Sequence, residues 1–111
     1  MANFGTASRS ASQCLALSEV RQEIDRVDRQ LVPLLAERMS YIHRAGVLKT
    51  DRGAVHDDTR IEEVVAKVQR EAEANGLDPH FAESLWRELM RLSIAHEFVV
   101  YDSKCISVNN A

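Results

Sequence analysis

A seam of apolar residues dominates the first half of this chain. Leu17, Val20, Ile24, Val27, Leu31 and Leu34 recur at alternating steps of three and four, and Tyr41, Ala45 and Leu48 resume the pattern. Such steps keep one face of a helix apolar, so the seam predicts a single amphipathic helix of about thirty residues. At ~1.5 Å per residue that helix spans roughly 45 Å. The seam has one break in kind: its next position after Leu34 is Arg38. A guanidinium on a buried stripe is costly unless an anion meets it. Glu37, Glu97 and Asp57 are available carboxylates, and a bound anionic ligand is the alternative.

The rest of the chain is too short to cover that helix. Two further helices are predicted. One begins at Asp57 or Asp58, carries Ile61, Val64, Val65, Val68 and Ala72, and stops at Asn75-Gly76. The other opens on the cap-and-proline pair Asp78-Pro79. At about twenty residues each, they leave part of a 45 Å seam open, which calls for a partner. A homodimer pairing the long helices is the economical arrangement. Ser18 is a possible cap of the first helix, and Pro33 within it is expected to bend rather than break it. Gly46 reads as a weaker flaw near its end.

Only four glycines and two prolines occur in 111 residues, which favours an all-α domain over a turn-rich β fold. Residues 1–17 are expected to form a flexible tail, 18–102 the helical domain and 103–111 a fraying second tail. A net charge of −3 gives no case for nucleic acid or a membrane surface. Cys14 and Cys105 have neither metal nor redox spacing, and the four histidines form no ligand set. With no apolar run resembling a signal or a span, a cytoplasmic protein is expected.

Spacing organises the cations. Arg38 and Lys49 are eleven residues apart, three turns plus about 20°, and so share a face. They lie about 16 Å apart along the axis, near the limit for grasping one small molecule. Arg21 is about 25 Å from Arg38 and can join them only from an antiparallel second chain. On the third helix, one stripe holds Phe81, Leu85, Leu89 and Leu92, and another holds Trp86, Met90, Ser93, Glu97 and Val100. Ser93 and Glu97 sit at i, i+4 and face one cavity together. Each group also has a plain structural reading: a carboxylate pairing with Arg38, a lysine at a helix end, a serine tolerated in a core.

These residues resemble the all-helical, AroQ-type chorismate mutase family. The resemblance runs through VRQEIDRVDRQLVPLLAERMSYIHRAGVLK, DDTRIEEV and ANGLDPHFAESLWRELMRLSIAHE, roughly residues 18–101. It implies an intertwined homodimer of three-helix chains, no cofactor and no metal. It also implies that Arg21 of one chain and Arg38 of the other bind the two carboxylates of a small substrate. Lys49 would hold the ether oxygen, with Glu97 donating to the same atom. Asp57, Arg60 and Ser93 match supporting substrate contacts. The implied activity is the Claisen rearrangement of chorismate to prephenate, in aromatic amino acid biosynthesis. The alternative is isochorismate pyruvate lyase activity, since RMSY and AEANGLD resemble that subgroup. A third reading is a non-catalytic helical dimer that binds a dicarboxylate. Two positions depart from the mutase pattern: Ile61 stands where many bacterial mutases have glutamate, and Glu97 where glutamine is common.

Overall fold

The computed structural model describes residues 8–109, with side chains through Lys104. The remaining parts of both expected tails, and the Cys105 side chain, lie outside the described residues. A 3-10 turn at Ala11–Gln13 precedes helix α1 (Leu17–Leu48). A second 3-10 turn at Arg52–Ala54 leads to α2 (Asp58–Ala74), which is followed by α3 (Pro79–Asn109). No strand occurs among the described residues, and the chain is all-α as the patterning predicts.

Helix α1 starts one residue before Ser18, so that serine is not its cap. Glu19 does the work from inside the first turn. Its Oε1 accepts from the backbone N–H of Leu15 at 2.7 Å and of Ala16 at 3.2 Å. These donors sit where a helix start leaves N–H groups unpaired. The Leu15 N–H, with Arg9 nearby, holds the Glu19 carboxyl below the usual carboxylate range. The helix then runs unbroken through Pro33.

The α2 and α3 termini follow their sequence signals. Asp57 caps α2 by accepting from the Arg60 N–H at 3.1 Å. The helix closes on Gly76 at φ 72°, with Leu77 N–H donating to Ala72 O at 2.8 Å. That left-handed step is cheap only for glycine. Asp78 caps α3 through the His80 N–H at 2.9 Å, with Pro79 in the first helical position. Helix α3 continues past Ser103 to Asn109. Lys104, on this extension, donates from its ammonium to backbone carbonyls at the end of α1.

The chain divides into two compact units, Met1–Arg38 and Met39–Ala111. The second holds every buried residue among those described. Its apolar core is Val55, Val65, Ala72, Ala82, Met90 and Val100. The two stripes of α3 part ways. Met90, Ser93, Glu97 and Val100 are buried, whereas Phe81, Leu85, Leu92 and Val99 are exposed. In the first unit the seam is uncovered: Leu17, Ile24, Leu31 and Leu34 are 48–62% exposed.

Candidate functional site

Gly46 positions the site. A Cβ built there would lie 3.0 Å from Val100 Cβ and 3.1 Å from the Glu97 carbonyl oxygen. A side chain at 46 would therefore push the end of α1 off α3. The glycine is not the flaw that helix propensity makes it; it permits a close crossing. Three residues on, the crossing delivers Lys49 to Glu97. Lys49 Nζ donates to Glu97 Oε2 at 2.7 Å, across 48 residues of sequence. Glu97 is 5% exposed and the Lys49 side chain 31% exposed. A carboxylate this deep is costly unless a cation meets it, and Lys49 is that cation. The partly open lysine leaves the pair one accessible end.

Ser93 lies one turn before Glu97 and is 2% exposed. Its hydroxyl donates to the Leu89 carbonyl at 2.7 Å and approaches Met39 Sδ at 3.9 Å. The bond to Leu89 spends the hydroxyl proton on its own helix. Asp57 and Arg60 come together at the start of α2 through the capping bond. Arg60 also reaches Glu63 at 3.6 Å on the exposed face. Arg21 is exposed and Arg38 half-buried, both on α1 within the first unit.

A cavity of about 240 Å³ opens between α2 and α3, lined by Ile61, Met90, Ile94, His56, Arg87 and Arg91. Its walls are mixed, with three apolar side chains and two guanidinium groups. Both arginines are engaged. Arg87 bonds Glu62 at 2.9 and 3.0 Å and Glu83 at 2.9 Å, which hold its pKa above the ordinary value. Arg91 is held likewise by Glu88. Sequence reasoning missed Ile94, His56, Arg87 and Arg91 as lining groups. Ile94 was the most legible, since it follows Met90 by one turn. A larger hollow of about 370 Å³ lies in the first unit, against the seam residues Val20, Ile24 and Val27.

His43 and His96 stack with ring centroids 5.7 Å apart, tilted by 40°. Among the described residues no cluster of three or more His, Cys, Asp or Glu could hold a metal ion. No described helix is long and apolar enough to cross a membrane.

Residues 20–98 match the family model for chorismate mutase type II. An isochorismate pyruvate lyase of Pseudomonas aeruginosa is 32% identical over 89 residues, covering 80% of this chain and 88% of that protein. A T-protein of Enterobacter agglomerans is 34% identical over 82 residues, 73% of this chain. A T-protein of Haemophilus influenzae is 34% identical over 83 residues, 74% of this chain. The matches span only 22% of either T-protein.

Proposed function

The chain belongs to the chorismate mutase type II family, and we propose that it rearranges chorismate to prephenate. The coarser assignment, to the group of enzymes acting on chorismate or isochorismate, follows from the family and its relatives. The single observation that carries the finer reading is the Lys49–Glu97 pair. It holds an ammonium group and a carboxyl group together at a partly open position, on two elements far apart in sequence.

The reaction breaks the ether C–O bond while a C–C bond forms at the far end of the enolpyruvyl arm. It is unimolecular, so the protein's task is to fold the arm over the ring and stabilise charge on the departing oxygen. Arg38 and Arg21 of the partner subunit hold the two substrate carboxylates, which fixes that folded arrangement. Lys49 donates to the ether oxygen as negative charge develops there. Glu97 adds a second donor when it carries a proton. For that it must release Lys49, which the incoming ether oxygen then takes up. Arg60 supports the bound carboxylates, Ser93 does so once its hydroxyl turns from the Leu89 carbonyl, and Asp57 holds the start of α2 beside the ring hydroxyl. The substrate stays within a helical homodimer in the cytoplasm.

A second reading has its own support. The Pseudomonas relative covers most of both chains, and Ile61 puts an apolar wall where many mutases carry a carboxylate. In the lyase reaction the same clamps hold isochorismate. The ether bond breaks as a ring hydrogen passes to the enolpyruvyl methylene, giving salicylate and pyruvate.

Supplying each substrate separately decides between them. Prephenate from chorismate supports the mutase, and salicylate plus pyruvate from isochorismate supports the lyase. Binding without turnover of either would leave the dicarboxylate-binding dimer and overturn both.

A further inference from the structure

Four side chains on the last turns of α3 grip the segment that carries Lys49. Lys104 Nζ donates to the carbonyls of Gly46 at 3.1 Å, Val47 at 2.8 Å and Lys49. Tyr101 Oη donates to Thr50 O at 3.3 Å. Asp102 takes Arg52 in a two-pronged bond, at 3.0 and 3.3 Å. The same guanidinium lies 4.5 Å from the centre of the Phe98 ring. Lys104 is itself steadied over the Tyr101 ring, at 4.6 Å.

The end of α1 has a particular need for this. The last carbonyls of a helix have no partner within it, and they carry the negative end of its dipole. A glycine in the left-handed conformation often closes such an end, and basic residues of the last turn often neutralise it. The last turn of α1 has no basic residue, and Gly76 is the only positive-φ glycine among those described. An ammonium group from α3 fills the vacancy, 55–58 residues away in sequence. One of its acceptors is the carbonyl of Lys49 itself. Gly46 sets how near α1 comes to α3, and Lys104 sets where the chain leaves it.

We propose that Lys104 is a positioning residue for Lys49, and that Tyr101 and Asp102 complete the clamp by holding Thr50 and Arg52. The proposal rests on the reading of Lys49 as the group that meets the ether oxygen. Lys104 touches neither substrate nor reacting atoms. It fixes the backbone from which the Lys49 side chain reaches, in the register that meets Glu97. A slack backbone would leave substrate affinity to the arginines but misplace the donor. The loss then falls on kcat rather than KM.

The test compares the full-length protein with Lys104→Met, which keeps the aliphatic stem and removes the donors, and with Lys104→Arg. Amide hydrogen exchange is read over residues 47–55 and over α2, and kcat and KM are measured with chorismate and with isochorismate. Lys104→Met is expected to speed exchange at 47–55 while leaving α2 unchanged. It should lower kcat roughly 10- to 100-fold, as expected for a donor misplaced by about 1 Å, with KM held within about two-fold. Lys104→Arg should restore most of the loss. Asp102→Asn, a change at a half-exposed side chain, should move both readouts in the same direction by less, and it serves if Lys104→Met fails to fold. Unchanged local exchange, equal acceleration in α2, or a loss confined to KM would overturn the proposal. If the wild type converts neither substrate, the functional reading fails instead, and the positioning role fails with it. An active wild type with an unaffected Lys104→Met defeats the positioning role alone.

Discussion

The two units of this chain start from the same kind of pattern and end differently. In Met39–Ala111 one set of apolar positions finds partners: Val65, Ala72, Ala82, Met90 and Val100 are buried, while Phe81, Leu85, Leu92 and Val99 stay exposed. In Met1–Arg38 an equally regular seam stays exposed, with Leu17 at 62% and Leu34 at 61%. Burying such a side chain is worth ~1.5–3 kcal/mol, so an uncovered seam of this length leaves that gain unused within the single chain. Periodicity alone measures how much apolar surface a helix offers. It does not say whether the chain covers that surface itself.

The largest test of the contrast concerns Arg21 and Arg38, both in the first unit. Arg21→Ala and Arg38→Ala should each cut kcat/KM by at least about 100-fold, the cost of losing a positioning clamp. Mixing the two inactive chains should restore activity, because each heterodimer keeps one site with both arginines. Random mixing makes half the dimers heterodimers, so about a quarter of the wild-type level is expected. Mixed dimers that form and stay inactive would sink the shared site.

Next in size is the seam. Leu31→Lys places a charge on the exposed stripe and should dissociate the proposed homodimer, read by light scattering, with activity lost in parallel. An unchanged mass would mean that the stripe is not the subunit contact.

The third test moves to the second unit and Glu97. Glu97 lies 2.7 Å from the Lys49 ammonium, and a glutamine in its place always offers a donor. Glu97→Gln should therefore keep most of the activity, whereas Glu97→Ala should cut kcat/KM by about 100-fold. A fully active Glu97→Ala would remove Glu97 from the site.

Gly46→Ala should cost about 1–3 kcal/mol of stability through overpacking against Val100, seen as a lower Tm, and should weaken activity by displacing Lys49. The smallest effect belongs to Glu19. Its folded pKa is depressed, so its contribution is present above the unfolded value and lost as pH falls through the folded one. Glu19→Gln should lower Tm slightly at neutral pH, and the difference from wild type should vanish in acid.

Much of the architecture could be read from local chemistry. The seam marked α1, Asp57 and Asp78 marked the starts of their helices, and Asn75-Gly76 marked an end. Each of these signals acts within one or two turns, where spacing and side-chain type decide the outcome. The errors were local as well. Ser18 was a reasonable cap, but Glu19 reaches back to two N–H groups and the helix starts earlier. The site was legible only as a set of residues. Lys49 and Glu97 were singled out separately, each with a plain alternative, and nothing in their spacing joined them.

The amino-acid sequence by itself determined three helices, the caps of the second and third, a long apolar seam with a cation in it, and the chemistry of the groups offered to a ligand. Tertiary structure decided which of those groups meet. It chose the buried stripe of α3, paired Lys49 with Glu97, turned Gly46 from a defect into a point of contact, and sent Lys104 to the end of α1. The physical reason is one of range. Caps and amphipathic faces depend on neighbours a turn away, whereas these meetings depend on the rotation and separation of helices, which side-chain volumes set only once the helices are packed.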